Sequence, residues 1–236
     1  HLAAREVEKK ARLCAAALME VAPDDLEMID GRIVLKGAPD HGRTLKQIAE
    51  ALAGKPGFAL PGGLSPGLNA SVDFLPPAIT YNNGSQVVEA EVDLETGEVR
   101  LLRFVVVHDC GRMINPTLVE GQVRGGVVHG IGATLFEWMR FDENGQPLTA
   151  TYADYLLPTV DVVPDIELIH MESPTPLNPL GVKGAGESGT IGAPAAIVSA
   201  IEDALSPLGV TISDLPVTPD RLLALIDAAR RRAPRS

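Results

Sequence analysis

The sequence predicts an α+β fold of mixed sheets with packed helices. Strand-like and helix-like stretches come in separate runs, not in the strict alternation of a doubly wound sheet. Hydrophobic residues make up 45 % of the 236, enough to bury a real core in one or two domains. No internal repeat is visible.

Taken in order, Ala3 to Val21 reads as an amphipathic helix. Val7, Ala11, Cys14, Leu18 and Val21 fall near helical spacing with Glu and Lys between them, and Pro23 ends the run. LEMIDGRIVLKG alternates around Asp30-Gly31, the two-residue signal of a hairpin. TLKQIAEALAG is a second helix, opened by a Thr44–Gln47 capping box and closed by Gly54. Residues 55–77 are rich in Gly and Pro and are expected to form a surface loop. Ala78 to Val107 reads as two long strands joined by ETGE. Pro116 to Trp138 is helix-like but studded with glycine, and 148–172 holds two strand-like runs separated by Pro158 and Pro164. Pro194 sits in the first turn of a helix that runs to Leu205. Thr218 caps a last helix from Pro219 to about Arg231. The expected organisation is a helix–hairpin–helix and loop segment over 1–77, followed by a second segment over 78–236.

The formal net charge of −11 argues against a nucleic-acid or anionic-membrane partner. The single basic cluster, Arg230, Arg231, Arg232 and Arg235, reads as a solvated tail. Cys14 and Cys110, far apart, make no disulfide framework, so the expected compartment is reducing and cytoplasmic. No apolar run reaches the roughly 20 residues of a membrane span, and no signal peptide is visible. The opening HLAAREVEKKARL, without Met, reads as the middle of something longer.

Two glycine-rich stretches stand out. In HDCGRMINPTLVEGQVRGGVVHGIGATLFEW, five glycines (121, 125, 126, 130 and 132) fall in one helix-like segment. Each costs about 1 kcal/mol against Ala in a helix interior. Either another backbone packs closely there or a ligand does. Asn115 is a good N-cap before Pro116, and Gln122 offers an amide at the glycine-lined start. In LGVKGAGESGT, four glycines surround Lys183 and Glu187 just ahead of the Pro194 helix. Glu187 is either a loop carboxylate favouring the positive end of that helix or a general base where ligands approach bare backbone. His108, Asp109, Cys110 and His129 lack the spacing of a protein-bound metal, and no G-x-S-x-G marks a serine nucleophile.

DCGRMINPTLVEGQVRGGVVHGIG, followed by GVKGAGESGTIGAPAAIVSAIEDAL, resembles the molybdenum-binding large subunits of the xanthine oxidase family. Aldehyde oxidoreductases and aerobic carbon monoxide dehydrogenases are the nearest-looking members. ADYLLPT and NNGSQVVEAEVDLETGEVRLLRFVVVHDCG fit as well, so the similarity spans about Leu2 to Leu205. The resemblance implies the C-terminal part of a molybdopterin-binding domain, with 78–236 as its cofactor-binding core. It implies molybdenum held by a pterin dithiolene, often with cytosine dinucleotide, and no metal ligand from the protein. It implies Glu187 as the active-site base of an oxidation of an aldehyde, N-heterocycle or carbon monoxide with water-derived oxygen. Copper joins molybdenum in the carbon monoxide branch. Cofactor contacts are implied at Asp109, Cys110, Gly111, Met113, Asn115 and Gln122, and along Lys183, Gly184, Ala185 and Gly186. Family large subunits are several times longer, so the N-terminal half of the large subunit is an implied partner, with iron–sulfur clusters and FAD on further subunits. Two cysteines cannot hold such clusters, which need about four thiolates each. Alone, the chain is expected to be inactive; a non-catalytic cofactor-binding or assembly module is the alternative.

Overall fold

The computed structural model describes residues 1–232, and Arg235 of the basic cluster lies outside the described residues. The chain divides into two compact units, His1–Leu75 and a second that begins at Pro76.

In the first unit, α1 (Leu2–Met19) buries Ala11, Cys14 and Ala15. Strands β1 (Leu26–Ile29) and β2 (Arg32–Leu35) form the expected hairpin. Asp30 and Gly31 both take positive φ (46° and 74°), the requirement of a primed turn. A third strand, β3 (Ala38–Thr44), pairs antiparallel with β2. Sequence reading passed over it because APDHGRT lacks apolar alternation; Leu26 and Ile33 carry the burial instead. Both bonds of the Thr44–Gln47 capping box open α2 (Leu45–Ala53), whose Ile48 and Leu52 complete this core. Residues 55–82 carry no strand and only a 3-10 turn at Pro61–Gly63.

The second unit is built on a mixed sheet in the order β4 (Asn83–Val92), β5 (Val99–Asp109), β6 (Ile166–Met171). β4 pairs antiparallel with β5, and β5 parallel with β6. β4 starts at Asn83, not at Ala78. Of the two strand-like runs in 148–172 only β6 forms; the stretch around Pro158 and Pro164, which lack N–H donors, holds a 3-10 turn at Val160–Val162. Helices α3 (Pro116–Ile131), α4 (Ala193–Ala204) and α5 (Pro219–Arg232) supply the other half of the core. Phe104, Val106 and Ile166 of the sheet share one buried cluster with Val127, Ile197 and Leu222 of the helices. α3 stops at Ile131, short of Trp138, and continues as a π-type turn, Gly132–Phe136. There the Thr134 hydroxyl donates to the Gly130 carbonyl (2.6 Å) and competes with the helical ladder.

The inner face carries His108 and His170, paired in register on β5 and β6, with ring centroids 4.5 Å apart edge to face. Burial pushes His108 below the usual imidazole range, His170 adds to this, and Asp109 opposes it. The outer face, near the Asp109 end, aligns Val87 with Val105 and Val107 with Ile169, and Val87, Ile169 and Met171 are exposed. No helix among the described residues is long and apolar enough to cross a membrane.

Candidate active site

The two glycine-rich stretches meet at the end of β5. Cys110 and Gly111 lie against 181–183: Lys183 N–H donates to the Cys110 carbonyl (2.8 Å), and Arg112 N–H to that of Gly181 (3.1 Å). Gly111 has φ 67°, and a Cβ there would collide with the Gly181 carbonyl oxygen. Asn178 braces the same strip, donating to the Val182 carbonyl (2.8 Å) and accepting from Val182 N–H (3.1 Å).

Asp109 is the lock of this junction. Its carboxylate accepts from the N–H of Gly111 (2.8 Å) and of Ser173 (3.1 Å) and from Lys183 Nζ (3.3 Å). Burial favours the neutral acid, but the donors of Ser173, Gly111 and Lys183 outweigh it and hold the carboxyl well below its usual range. Burial pushes the Cys110 thiol up. The polar groups of Asp109, Gly111 and Lys183 are thus engaged in joining the two strips. Met113 N–H donates to Glu172 (3.1 Å), and Asn115 caps α3 by accepting from Leu118 N–H (3.3 Å).

Gln122 joins α3 to the second stretch directly: its Nε2 donates to the Gly186 carbonyl (2.7 Å). The glycines of α3 divide by role. A Cβ on Gly126 would sit 3.0 Å from Gly189 Cα, and one on Gly130 would strike the Ala193 side chain. Thr190 Oγ1 donates to the Gly126 carbonyl (3.1 Å) in the same contact. Those two glycines serve close packing. Gly121 and Gly125, like Gly184 and Gly186, meet no described atom within 4 Å of an added Cβ. The close-packing reading of the glycine run therefore holds at Gly126 and Gly130, while Gly121 and Gly125 border open space. Gly125→Ala is expected to stabilise the chain by up to about 1 kcal/mol, and Gly130→Ala to destabilise it by about 1–3 kcal/mol. Urea unfolding checks this, and a shared sign for the two variants contradicts the division.

Glu187 follows on a turn whose backbone is pinned. Its carbonyl accepts from the N–H of Thr190 (3.1 Å) and Ile191 (3.2 Å). Gln86 Nε2 donates to the carbonyls of Ser188 (3.1 Å) and Gly189 (3.0 Å), and Asn82 Nδ2 to Ser188 Oγ (2.6 Å). The Glu187 carboxylate is exposed and makes no hydrogen bond or ion pair among the described residues; it does not cap α4. It borders an open groove of about 670 Å³ between β4 and α4, lined also by Val88, Ile191, Ala195 and Ala196. Sequence reading missed Gln86 and Asn82. A signal was present: strand alternation puts Gln86 on the inner face with Val88, Ala90 and Val92, an unusual place for a carboxamide.

A cofactor that presents acceptor oxygens and carries its own metal ligands fits these residues. Among the described residues, the amides of Gly184, Ala185, Gly186 and Glu187 are paired with no acceptor, and no side chains stand before them at Gly184 and Gly186. No group of three or more His, Cys, Asp or Glu side chains converges among the described residues. What the chain offers is backbone amides, one carboxamide and one carboxylate.

The sequence profile of the molybdopterin cofactor-binding domain matches residues 1–164. The nicotine 6-hydroxylase large subunit of Paenarthrobacter nicotinovorans is 39 % identical over 221 residues, covering 94 % of this chain and 27 % of that protein. The crystal structure of quinoline 2-oxidoreductase from Pseudomonas putida 86 superposes with a TM-score of 0.82 at 39 % identity, over 95 % of this chain and 28 % of that one. A Cu,Mo-CO dehydrogenase superposes with a TM-score of 0.86 at 34 % identity, over 98 % and 29 %. The chain spans 27 % of the length of the first of these relatives. The superpositions agree with the α+β architecture, and the chain belongs to the molybdopterin cofactor-binding domain family.

Proposed function

We propose that this chain is part of a molybdenum hydroxylase that oxidises a small substrate, and that Glu187 is its active-site base. The observation that carries the reading is the Gln122–Gly186 hydrogen bond, which brings the helix of the first motif against the strip that bears Glu187. Gln122 and the free amides of Gly184, Ala185 and Gly186 would hold the pterin-bound metal group, with Gly121 and Gly125 leaving room for it. We propose a role in spacing for Met113 and Asn115, which set the entry into α3. Asp109, Cys110 and Gly111 would act one step back, by holding the 181–183 strip in place. Similarity to a carbon monoxide dehydrogenase supports cytosine dinucleotide as the nucleotide tail.

When bound, the molybdenum–pterin group supplies the oxygen-transfer and two-electron chemistry. The chain's own part is narrower. Glu187, with an unpartnered carboxylate on a pinned turn, takes the proton from the water-derived oxygen that attacks the electron-poor carbon. The bare backbone at Gly184 and Gly186 lets that carbon approach without a side chain in the way. Aldehydes, N-heterocycles and carbon monoxide are the substrate classes this reading admits.

The remaining three quarters of such a large subunit would complete the site. Its place is the exposed apolar outer face of the sheet, where Val87 is 65 %, Ile169 44 % and Met171 57 % exposed beside Val105 and Val107. Iron–sulfur and flavin subunits would carry electrons away, since both cysteines of this chain are buried and apart. Quantifying molybdenum and pterin tests the reading. Stoichiometric cofactor is expected in the chain assembled with the rest of its subunit and little in the chain alone. Cofactor absent from the assembled protein contradicts it. Within that assembly Gln122→Ala is expected to lower cofactor content more than it lowers turnover per bound molybdenum.

A further inference from the structure

Gln86 is an anomaly of the fold. It lies on the inner face of β4, between Gly84 and Val88, where every neighbour on that face further along the strand is apolar. Its Nε2 is fully used, donating to the carbonyls of Ser188 and Gly189. Its Oε1 is buried and has no partner among the described residues. A buried acceptor left unpaired is destabilising; an apolar residue at this position would remove that penalty but leave the Ser188 and Gly189 carbonyls without their donor. What the carboxamide does is fix the two peptide groups that follow Glu187.

On the other flank, Gln122 fixes the Gly186 carbonyl that precedes Glu187. Asn82, one residue ahead of β4, holds the Ser188 hydroxyl (2.6 Å). Glu187 is thus bracketed by three amide side chains: Asn82 and Gln86, more than a hundred residues ahead of the turn, and Gln122 of α3, 64 residues ahead of Gly186. Among the described residues, none of these side chains hydrogen-bonds the Glu187 carboxylate. They hold the backbone that aims it, in a stretch whose glycines would otherwise leave it loose.

We propose that Gln86 is a positioning residue for Glu187. It sets the direction of the carboxylate through the Ser188 and Gly189 carbonyls, with Asn82 as its auxiliary. The proposal rests on the reading of Glu187 as the active-site base. A misplacement of about 1 Å by a residue remote from the chemistry can cost on the order of 10²-fold in rate. Gln86→Met keeps the shape and removes both donated bonds; losing the unpaired acceptor offsets part of the cost of leaving the Ser188 and Gly189 carbonyls without their donor.

The test uses the assembled protein and two readouts. Hydrogen–deuterium exchange reports the turn itself: in Gln86→Met, amides of residues 188–192 are expected to exchange at least about tenfold faster, with Asn82→Ala giving a smaller change in the same direction. Turnover reports the consequence: kcat is expected to fall by about 10–10²-fold with KM and molybdenum content unchanged. In a Glu187→Gln background, Gln86→Met should add little further loss, because the two act as a unit. Unchanged exchange in 188–192 overturns the proposal, as does a full additional kcat loss on top of Glu187→Gln. If Glu187→Gln alone keeps wild-type turnover, the base assignment fails and with it the kinetic arm. Faster exchange in Gln86→Met would then still establish that Gln86 positions the turn.

Discussion

Glu187→Gln in the assembled enzyme is expected to lower kcat by about 10²–10⁴-fold, with molybdenum and pterin content at the wild-type level. The amide keeps the size of the side chain and loses the ability to take a proton. The surrounding turn does not depend on the carboxylate: Thr190 and Ile191 bond the Glu187 carbonyl, and Gln86 and Gln122 bond its neighbours' carbonyls. Loss of the acid function should therefore leave the fold and the cofactor strip intact. Kinetics and metal analysis on the same preparation separate the cases. Wild-type turnover in the variant, or a loss explained wholly by missing metal, makes Glu187 a loop residue with no part in proton transfer.

Asp109→Ala is expected to be the most damaging single change to the fold of the second unit, costing about 3–5 kcal/mol. It leaves the Lys183 ammonium, whose side chain is 11 % exposed, without its partner, and it strips the acceptor from the N–H groups of Gly111 and Ser173. Removing both charges together, in Asp109→Ala with Lys183→Met, should recover part of that loss, since no uncompensated charge then stays buried. Denaturant unfolding of the two variants checks the order. The pH dependence has a definite sign. The folded-state carboxyl lies below its unfolded value of about 3.9, so its contribution is fully present above that value and is lost as pH falls below it. Wild type should lose stability on acidification more steeply than Asp109→Ala. A loss under about 1 kcal/mol, or parallel pH profiles, would mean the Asp109–Lys183 junction contributes little.

Much of this architecture was legible in the sequence because local signals sufficed. Asp30-Gly31, the Thr44–Gln47 box and the Asn115-Pro116 entry each define a turn or a helix start through neighbouring residues alone, and each forms. The elements that were misread lack a capping or turn signal of that kind. β3 exists because β2 offers it an edge, and α3 ends where Thr134 turns back on Gly130. The candidate site shows the same division. Gly121 and Gly125 look identical in sequence to Gly126 and Gly130, yet only the second pair packs against 189–193, which lies more than fifty residues on. Asp109 was named as a cofactor contact, and its carboxylate proves to be engaged with Lys183 and Ser173, a fact no local pattern carries. Gln86 was overlooked because its two acceptors belong to a turn a hundred residues away.

Anomalous diffraction at the molybdenum absorption edge, from crystals of the assembled enzyme, tests the central claim most directly. The metal peak is expected beside the Gly184–Gly186 strip, on the open side of Gly121 and Gly125 and within reach of the Glu187 carboxylate. A peak remote from that strip, with Glu187 still facing solvent, contradicts the assignment of both the cofactor cradle and the base.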